Sequence, residues 1–353
     1  MTTKLRVAVA GCGGISRAMH LPAWRELVGE GRVELVAVCD IMEDRVKAIA
    51  AEFGAARSYT DFEKMIKDEQ IDILDVCTQN RLHAPMTLVG LEAGAHVLVE
   101  KPMAMNSAEA RAMVDMAEKH GRTLMVAQHM RFDPINEMLK GIVDGGELGR
   151  VYTGRAQWMR RRGIPGWGRF HIKSESLGGP LIDIGVHMLD LTLWMLNYPK
   201  PLAVSGKVYR MFGDRDDLYN GPWGRAYQPN EFDVEDYATA LIRLENDITV
   251  SLEVSWAANI QSEVLGFSIL GDKAGISSNP PAMFGYRQGA LTTTKFEEII
   301  PSQAHRAEIR HFTTCLEQNL PVRVQPSQSL QLQQIIDGIY QSSDAGAEVR
   351  LDA

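Results

Sequence analysis

The chain has 353 residues, 45% of them hydrophobic and 23% charged, and carries a net charge of −8. That length is enough for two ordinary globular domains. The acidic balance argues against nucleic acid or an anionic membrane as partners, and no uncharged apolar run reaches the roughly 18 residues of a membrane span. Met1-Thr2-Thr3-Lys4 runs straight into an apolar strand, without the long apolar core and small-residue cleavage site of a leader. The four cysteines (12, 39, 77 and 315) are scattered and form no Cys-x-x-Cys. The sequence therefore predicts a cytoplasmic protein whose cysteines are small core hydrophobes.

Leu5–Ala10 reads as a strand, followed by the glycine turn Gly11-Cys12-Gly13-Gly14-Ile15-Ser16 and a helix through Leu27. Val33–Cys39 is a second buried strand, closed by Asp40. Glu43–Phe53 and Asp61–Lys67 have helical spacing, the latter with Asp61 as its cap. Ile71–Cys77 is a strand and leads into Thr78-Gln79-Asn80-Arg81-Leu82-His83. Pro85–Ala93 is a helix stopped by Gly94. His96–Val99 is a strand that ends in Glu100-Lys101-Pro102. A helix over Ser107–His120 and a strand over Thr123–Ala127 follow. Continuous apolar strands alternating with helices predict a doubly wound parallel sheet covered on both faces, over residues 1–127.

In Gly11-x-Gly13-x-x-Ser16, Gly11 permits the tight turn and Gly13 lets a backbone approach a pyrophosphate. Ser16 stands where Gly or Ala usually packs helix on strand. Asp40 closes the second strand at about the separation expected of a ribose-binding acid. Ile41 and Met42 follow it, with no nearby arginine to hold a 2′-phosphate, so NAD is favoured over NADP. Glu100-Lys101 sits at the carboxyl end of a strand, the edge where open α/β sheets bind ligands.

From Gln128 the pattern changes. A helix runs through Val143. Arg150–Trp158, Leu202–Tyr209, Ala238–Leu244, Ile248–Ser255 and Glu263–Leu270 alternate as strands, several of them joined by short turns. Helices over His305–Glu317 and Ser327–Ser342 end the chain. Residues 128–353 thus read as an α+β domain with a large, mostly antiparallel open sheet. That sheet is the natural surface for a homodimer or homotetramer. The arginine run 160–162 reads as a solvated basic loop in preference to a phosphate site. Residues 213–235 read as a long irregular loop of the kind that covers sites.

Within this half, Leu181–Leu196 is apolar on every side, as befits a buried helix, with Pro180 suited to its first turn. It nevertheless carries Asp183, His187 and Asp190. At 3.6 residues per turn these form one narrow stripe. Buried charge is costly unless it is paired or used. Either the three form a structural network or they face a reaction.

The glycine turn, Asp40, Thr78-Gln79-Asn80 with His83, Glu100-Lys101-Pro102, and Gly178-Gly179 followed by Asp183 and His187 resemble, in order and spacing, the Gfo/Idh/MocA oxidoreductases. The resemblance covers essentially the whole chain. It implies a catalytic group of Lys101, Asp183 and His187. It also implies a cofactor site built from Gly11, Gly13, Gly14, Ile15, Asp40, Thr78, Gln79, Asn80, His83, Glu100, Lys101, Gln128 and Trp167. His129 stands where the family often has an amide, and joins Lys101, Asp183 and His187 as a substrate contact. No metal is expected, and no metal-ligand spacing links the other histidines, His20 among them.

By that resemblance the substrate is a small sugar or polyol. The expected activity is NAD(P)-dependent oxidation of a secondary hydroxyl of a sugar, glycoside or inositol-like polyol. Nicotinamide accepts the hydride, and His187 takes the proton. Lys101 donates to the substrate oxygen, Asp183 holds a hydroxyl, and Asp190 is placed to fix the tautomer of His187. Two alternatives share the fold: a glycoside-cleaving enzyme that oxidises transiently with NAD retained, and a non-catalytic dinucleotide sensor.

Overall fold

A computed structural model describes residues 4–225, 227–297 and 300–351. The chain opens with β1 (Leu5–Ala10), a π turn (Ser16–His20), α1 (Leu21–Gly29), β2 (Val33–Cys39), α2 (Glu43–Phe53), β3 (Arg57–Tyr59) and α3 (Phe62–Asp68). Next come β4 (Ile73–Val76), α4 (Asn80–Glu92), β5 (His96–Val99), α5 (Ser107–His120) and β6 (Leu124–Val126). Then follow α6 (Pro134–Asp144), β7 (Val151–Met159), the short α7 (Lys173–Ser176), a second π turn (Leu181–Gly185) and α8 (Val186–Met195). Strands β8 (Pro201–Tyr209), β9 (Tyr237–Leu244), β10 (Ile248–Ser255), β11 (Val264–Gly271), β12 (Ala274–Ser278), β13 (Pro281–Arg287) and β14 (Ala290–Lys295) succeed them. The chain closes with α9 (Ala304–Gln318), α10 (Pro326–Ala345) and β15 (Val349–Arg350).

These elements form two compact units. The first takes residues 1–132 and 303–330, the second residues 133–302 and 331–353. The boundary expected at 127/128 therefore moves. The segment 303–330, expected in the C-terminal domain, packs with the first unit. Ile309, Phe312, Cys315, Val322 and Val324 join that unit's core. Arg310 pairs with Glu30, and Arg32 with Glu317. Buried Arg131 donates to the Arg323 carbonyl and to Gln328 Oε1. The apolar spacing of α9 predicts its helix but carries no mark of which core it joins.

The first unit's sheet is wholly parallel, in the order β3-β2-β1-β4-β5-β6. Val7 stands beside Leu35 on one side and Ile73 on the other, all buried. Chain order reverses between β1 and β4, so their carboxyl ends open a crevice at a topological switch point. The helices begin where side chains supply the missing acceptors. Asp61 takes the Lys64 amide at the start of α3, and Asn106 takes the Glu109 amide at the start of α5. Gly54 and Gly121 close α2 and α5 in the left-handed conformation.

The second unit's sheet has the order β14-β13-β12-β11-β7-β10-β9-β8-β15, antiparallel except for the β7·β10 pair. The five expected strands form its centre. Strands β12 to β15 extend it, and β13 and β14 carry little buried apolar surface, which is why alternation did not reveal them. The expected loop 213–235 is pinned at its end. Asp236 accepts the backbone N–H groups of Met211, Phe212 and Gly213, while Tyr227, Phe232 and Val234 are buried. Ala226 lies outside the described residues.

The buried helix starts with a π turn at Leu181–Gly185 and becomes α-helical from Val186. Asp183 thus lies on the π turn and His187 on the α-helix, so the uniform stripe expected from α spacing is broken between them. Gly179 makes this start possible, because a Cβ there would overlap the carbonyl oxygen of Glu235. Gly179→Ala should force that backbone apart and cost about 1–3 kcal/mol. Urea unfolding followed by far-UV circular dichroism should show a lower midpoint with an unchanged slope.

Candidate active site

The first unit gathers its polar groups where β1, β2, β4 and β5 end. Gly11 has φ +94°, and a Cβ there would overlap the Cys77 carbonyl oxygen, so only glycine fits between β1 and β4. Its amide donates to Cys39 O at 2.8 Å. At Gly13 and Gly14 an added Cβ would meet nothing within 4 Å. Ile15 leads exposed into the π turn, and Ser16 is buried. Asp40 is fixed by two amides. Its Oδ2 accepts from Cys12 at 3.0 Å, and its Oδ1 from Met42 at 2.9 Å.

The expectation that no arginine stands near Asp40 is corrected. Arg45, one turn into α2, brings Nη1 to 3.4 Å from Asp40 Oδ2. Ile41 and Met42 are the neighbours of Asp40 in sequence, whereas helical geometry returns Arg45 to the end of β2.

Thr78, Gln79 and Asn80 form the β4–α4 junction, with Gln79 as the N-cap residue and Asn80 opening the helix. The Thr78 hydroxyl is buried with no hydrogen-bond partner among the described residues, and the same is true of the Gln128 side-chain nitrogen. Buried polar atoms of this kind want a ligand. Together with the open glycine turn and the anchored Asp40 carboxylate, they fit a dinucleotide. His83 lies against Thr78. Its Nδ1 lies 2.7 Å from Pro102 O and its Nε2 3.1 Å from Thr78 O. A neutral imidazole has one N–H, so the ring donates to only one of these two carbonyls. Burial pushes its pKa down.

Lys101 follows β5 and is half-buried, its backbone N–H donating to Glu100 Oε2 at 3.0 Å. Glu100 Oε1 lies 3.0 Å from His20 Nε2, and His20 Nδ1 lies 2.9 Å from Asp75 Oδ2. Trp24 Nε1 donates to the same Asp75 oxygen at 2.6 Å. Burial alone would raise the Glu100 carboxyl, but its hydrogen bond to His20 and the nearby positive charges hold it down at about 2.

Sequence spacing concealed this cluster because His20 and Asp75 are distant along the chain. The ligand atoms of His20, Asp75 and Cys77 lie within 4.8 Å of one another, so the group also has the composition of a metal site. Its hydrogen bonds argue otherwise. The imidazole nitrogens and the indole N–H already face the carboxylates, and burial pushes the Cys77 thiol up, away from the thiolate that a metal needs.

His129 sits in a 3₁₀ turn of the first unit, its ring stacked on His305 from α9 at 3.8 Å. Burial first, and then the neighbouring His305, drives its pKa down to about 3; His305 falls to about 4, chiefly through burial.

In the second unit, Asp183 Oδ2 accepts from Trp256 Nε1 at 3.0 Å and lies 4.0 Å from Arg160 Nη1. His187 is buried, with Trp158 at 6.3 Å between ring centroids. Asp190 Oδ1 accepts the Tyr198 hydroxyl at 2.5 Å, a packing contact within the fold. Trp167 is half exposed and meets Trp223 edge-on at 5.0 Å.

The arginine run is not simply solvated. Arg160 lies over both Trp158 and Trp223, and Arg162 over Phe212, with hydrogen bonds to Ala258 O and Asn259. Sequence reasoning missed Trp256 and Arg160. Trp256 falls at the end of an ordinary strand pattern, and Arg160 reads as one charge among three.

A doubly wound sheet with a dinucleotide-type turn, joined to an α+β unit with an acid–imidazole pair among aromatic rings, defines a dinucleotide-dependent oxidoreductase. Residues 5–128 match the family described as "Oxidoreductase family, NAD-binding Rossmann fold", and residues 137–277 match "GFO/IDH/MocA C-terminal domain". The chain belongs to the Gfo/Idh/MocA oxidoreductase family. It is 34% identical to the D-glucoside 3-dehydrogenase of Escherichia coli K12 across 99% of this chain and 98% of that one. It is 25% identical to the D-apiose dehydrogenase of Paraburkholderia graminis across 99% and 90%. Among solved structures, levoglucosan dehydrogenase with NADH and levoglucosan superposes with TM-score 0.84 at 22% identity, over 99% of this chain and 100% of that one. An oxidoreductase domain protein from Kribbella flavida superposes with TM-score 0.87 at 22% identity, over the whole of both chains. At such identities these two speak to the fold.

The stacked histidines set a pH dependence. Their folded pKa values lie below the ordinary value of about 6.5, so between about pH 6.5 and 4 the unfolded chain binds more protons. Stability is then lost as pH falls through that window. Urea midpoints should drop from pH 7 to pH 4.5, and His305→Asn should flatten the drop. An identical slope in the variant would refute this assignment.

Proposed function

We propose that this protein oxidises a secondary hydroxyl of a sugar, glycoside or cyclic polyol by hydride transfer to a nicotinamide dinucleotide, with NAD preferred to NADP. The observation that carries the reading is the setting of Asp183 and His187. A carboxylate and an imidazole lie among Trp158, Trp256 and Arg160. Few, well-placed polar groups on aromatic walls suit a polyhydroxylated ring. The full-length likeness to a D-glucoside 3-dehydrogenase makes glycosides the first class to try.

When bound, the dinucleotide supplies the hydride acceptor. The chain's own residues do the rest. His187 takes the proton of the reacting hydroxyl, the part an imidazole most often plays in such transfers. The Lys101 ammonium donates to the substrate oxygen and stabilises alkoxide character as the hydride leaves. Asp183, oriented by the Trp256 N–H, accepts from a neighbouring hydroxyl and holds the ring. Gly13 and Gly14 receive the pyrophosphate, and Asp40 receives the ribose hydroxyls.

NADH formation should be screened with methyl glucosides, free monosaccharides and inositols. At least one should be oxidised, and Lys101→Ala and His187→Asn should each lower kcat by about a hundredfold or more, the usual scale for general acid–base groups. Full turnover by Lys101→Ala would remove it from the reaction. Glycoside cleavage without accumulation of free NADH would favour a transient-oxidation enzyme. Cofactor binding with no turnover across the panel would favour a sensor.

Asp40 also tests the cofactor preference. Its carboxylate repels a 2′-phosphate, and Arg45 stands beside it to receive one once that charge is gone. Asp40→Ser should therefore shift the ratio of kcat/KM for NAD to that for NADP by at least tenfold towards NADP. A ratio that does not move would show that Asp40 does not discriminate.

A further inference from the structure

His20 lies wholly buried at the end of the first π turn and takes no part in the chemistry proposed above. Both of its ring nitrogens face carboxylates, Nδ1 at 2.9 Å from Asp75 and Nε2 at 3.0 Å from Glu100. A neutral imidazole has a single N–H. With both carboxylates ionised, one of these contacts would set a lone pair against an anionic oxygen. Two N–H groups satisfy both, so the ring is an imidazolium. The chain of contacts continues at each end. Asp75 also takes the Trp24 N–H, and Glu100 spends its second oxygen on the Lys101 backbone N–H. Glu100 thus has both oxygens occupied, one by His20 and one by the residue proposed to donate to substrate.

We propose that His20 is a positioning residue for Lys101: held between Asp75 and Glu100, it fixes the carboxylate that anchors the lysine's backbone and faces its charge. This rests on the reading of Lys101 as the donor to the substrate oxygen. Asp75, His20 and Glu100 together carry one net negative charge, and Glu100 lies within electrostatic reach of the Lys101 ammonium. The other titratable groups around them keep that balance. Cys77 and Glu308 are held protonated chiefly by burial, and His129 and His305 are held neutral the same way. Burial alone would strip the proton from His20, but the Asp75 carboxylate outweighs it and raises its pKa well above the ordinary range. His20 then stays charged across the range in which a dehydrogenase is assayed.

The test joins spectroscopy to kinetics. In long-range 1H–15N spectra of the whole protein, with His20 assigned through His20→Gln, the wild-type ring should carry both protons from pH 6 to pH 9. Asp75→Asn leaves Glu100 and its bond to the Lys101 amide in place and removes one of the two anions. Its His20 should titrate within that range. In step with that titration, kcat relative to wild type should fall at least fivefold, with KM within twofold, using NAD⁺ and the glycoside of the panel oxidised fastest. A neutral wild-type His20 at pH 8 would overturn the proposal. So would a variant ring that stays doubly protonated, or one that titrates while relative kcat stays flat. Should Asp75→Asn not fold, Glu100→Gln removes the other anion and should bring the same titration into range. Full activity in Lys101→Ala would sink the reading of the lysine itself, whatever the spectra show. An inactive Lys101→Ala with a neutral His20 would sink this inference alone.

Discussion

The buried charges described above are each met by a partner, and that constraint shapes both units. In the first, an imidazole between two carboxylates joins the π turn after β1, the core strand β4 and the rim beyond β5. Breaking such a pair leaves an uncompensated buried ion, commonly a loss of about 3–5 kcal/mol. The glycine turn and the Glu100-Lys101 rim are therefore not independent loops on a scaffold. In the second unit, Asp183, Asp190, Glu235 and Asp236 each have N–H or O–H donors. Glu235 accepts from the Leu181 amide and the Tyr340 hydroxyl, tying the start of the buried helix to α10.

The two units solve the same local problem in the same way. Each has glycines and then a π turn that leads into a helix: Gly11, Gly13 and Gly14 before Ser16–His20, and Gly178 and Gly179 before Leu181–Gly185. A π turn widens the helix by one residue and is common at functional sites. Here it delivers His20 to its carboxylates, and Asp183 to the Trp256 N–H. Glycine is needed because backbone approaches too closely for a side chain, with Cys77 O at Gly11 and Glu235 O at Gly179.

Much of this was legible in the sequence because it is local. The Gly11 turn, the Asp61 cap, the parallel strands and the buried helix all follow from spacing within a dozen residues. The motifs Glu100-Lys101-Pro102 and Asp183 with His187 were equally visible. What stayed hidden depends on distant partners. No local signal says that α9 joins the first unit, that His20 meets Asp75, or that His83 lies between two backbone carbonyls. Strands β13 and β14 hid for a different reason. Their mostly exposed faces leave little alternation to read.

The pairing of Asp40 with Arg45 shows how such a long-range fact changes a chemical argument. An acid at this position favours ribose hydroxyls, and an arginine favours a 2′-phosphate; here both are present. They are not held alike. The Asp40 carboxylate is largely shielded from solvent and anchored by two backbone amides, so its charge cannot retreat. Arg45 sits on the exposed face of α2 and reaches Asp40 through a single long contact. A fixed anion repels at full strength, whereas a flexible cation must lose side-chain entropy before it can attract. The asymmetry between the anchored carboxylate and the exposed arginine is the physical basis of the proposed preference for NAD.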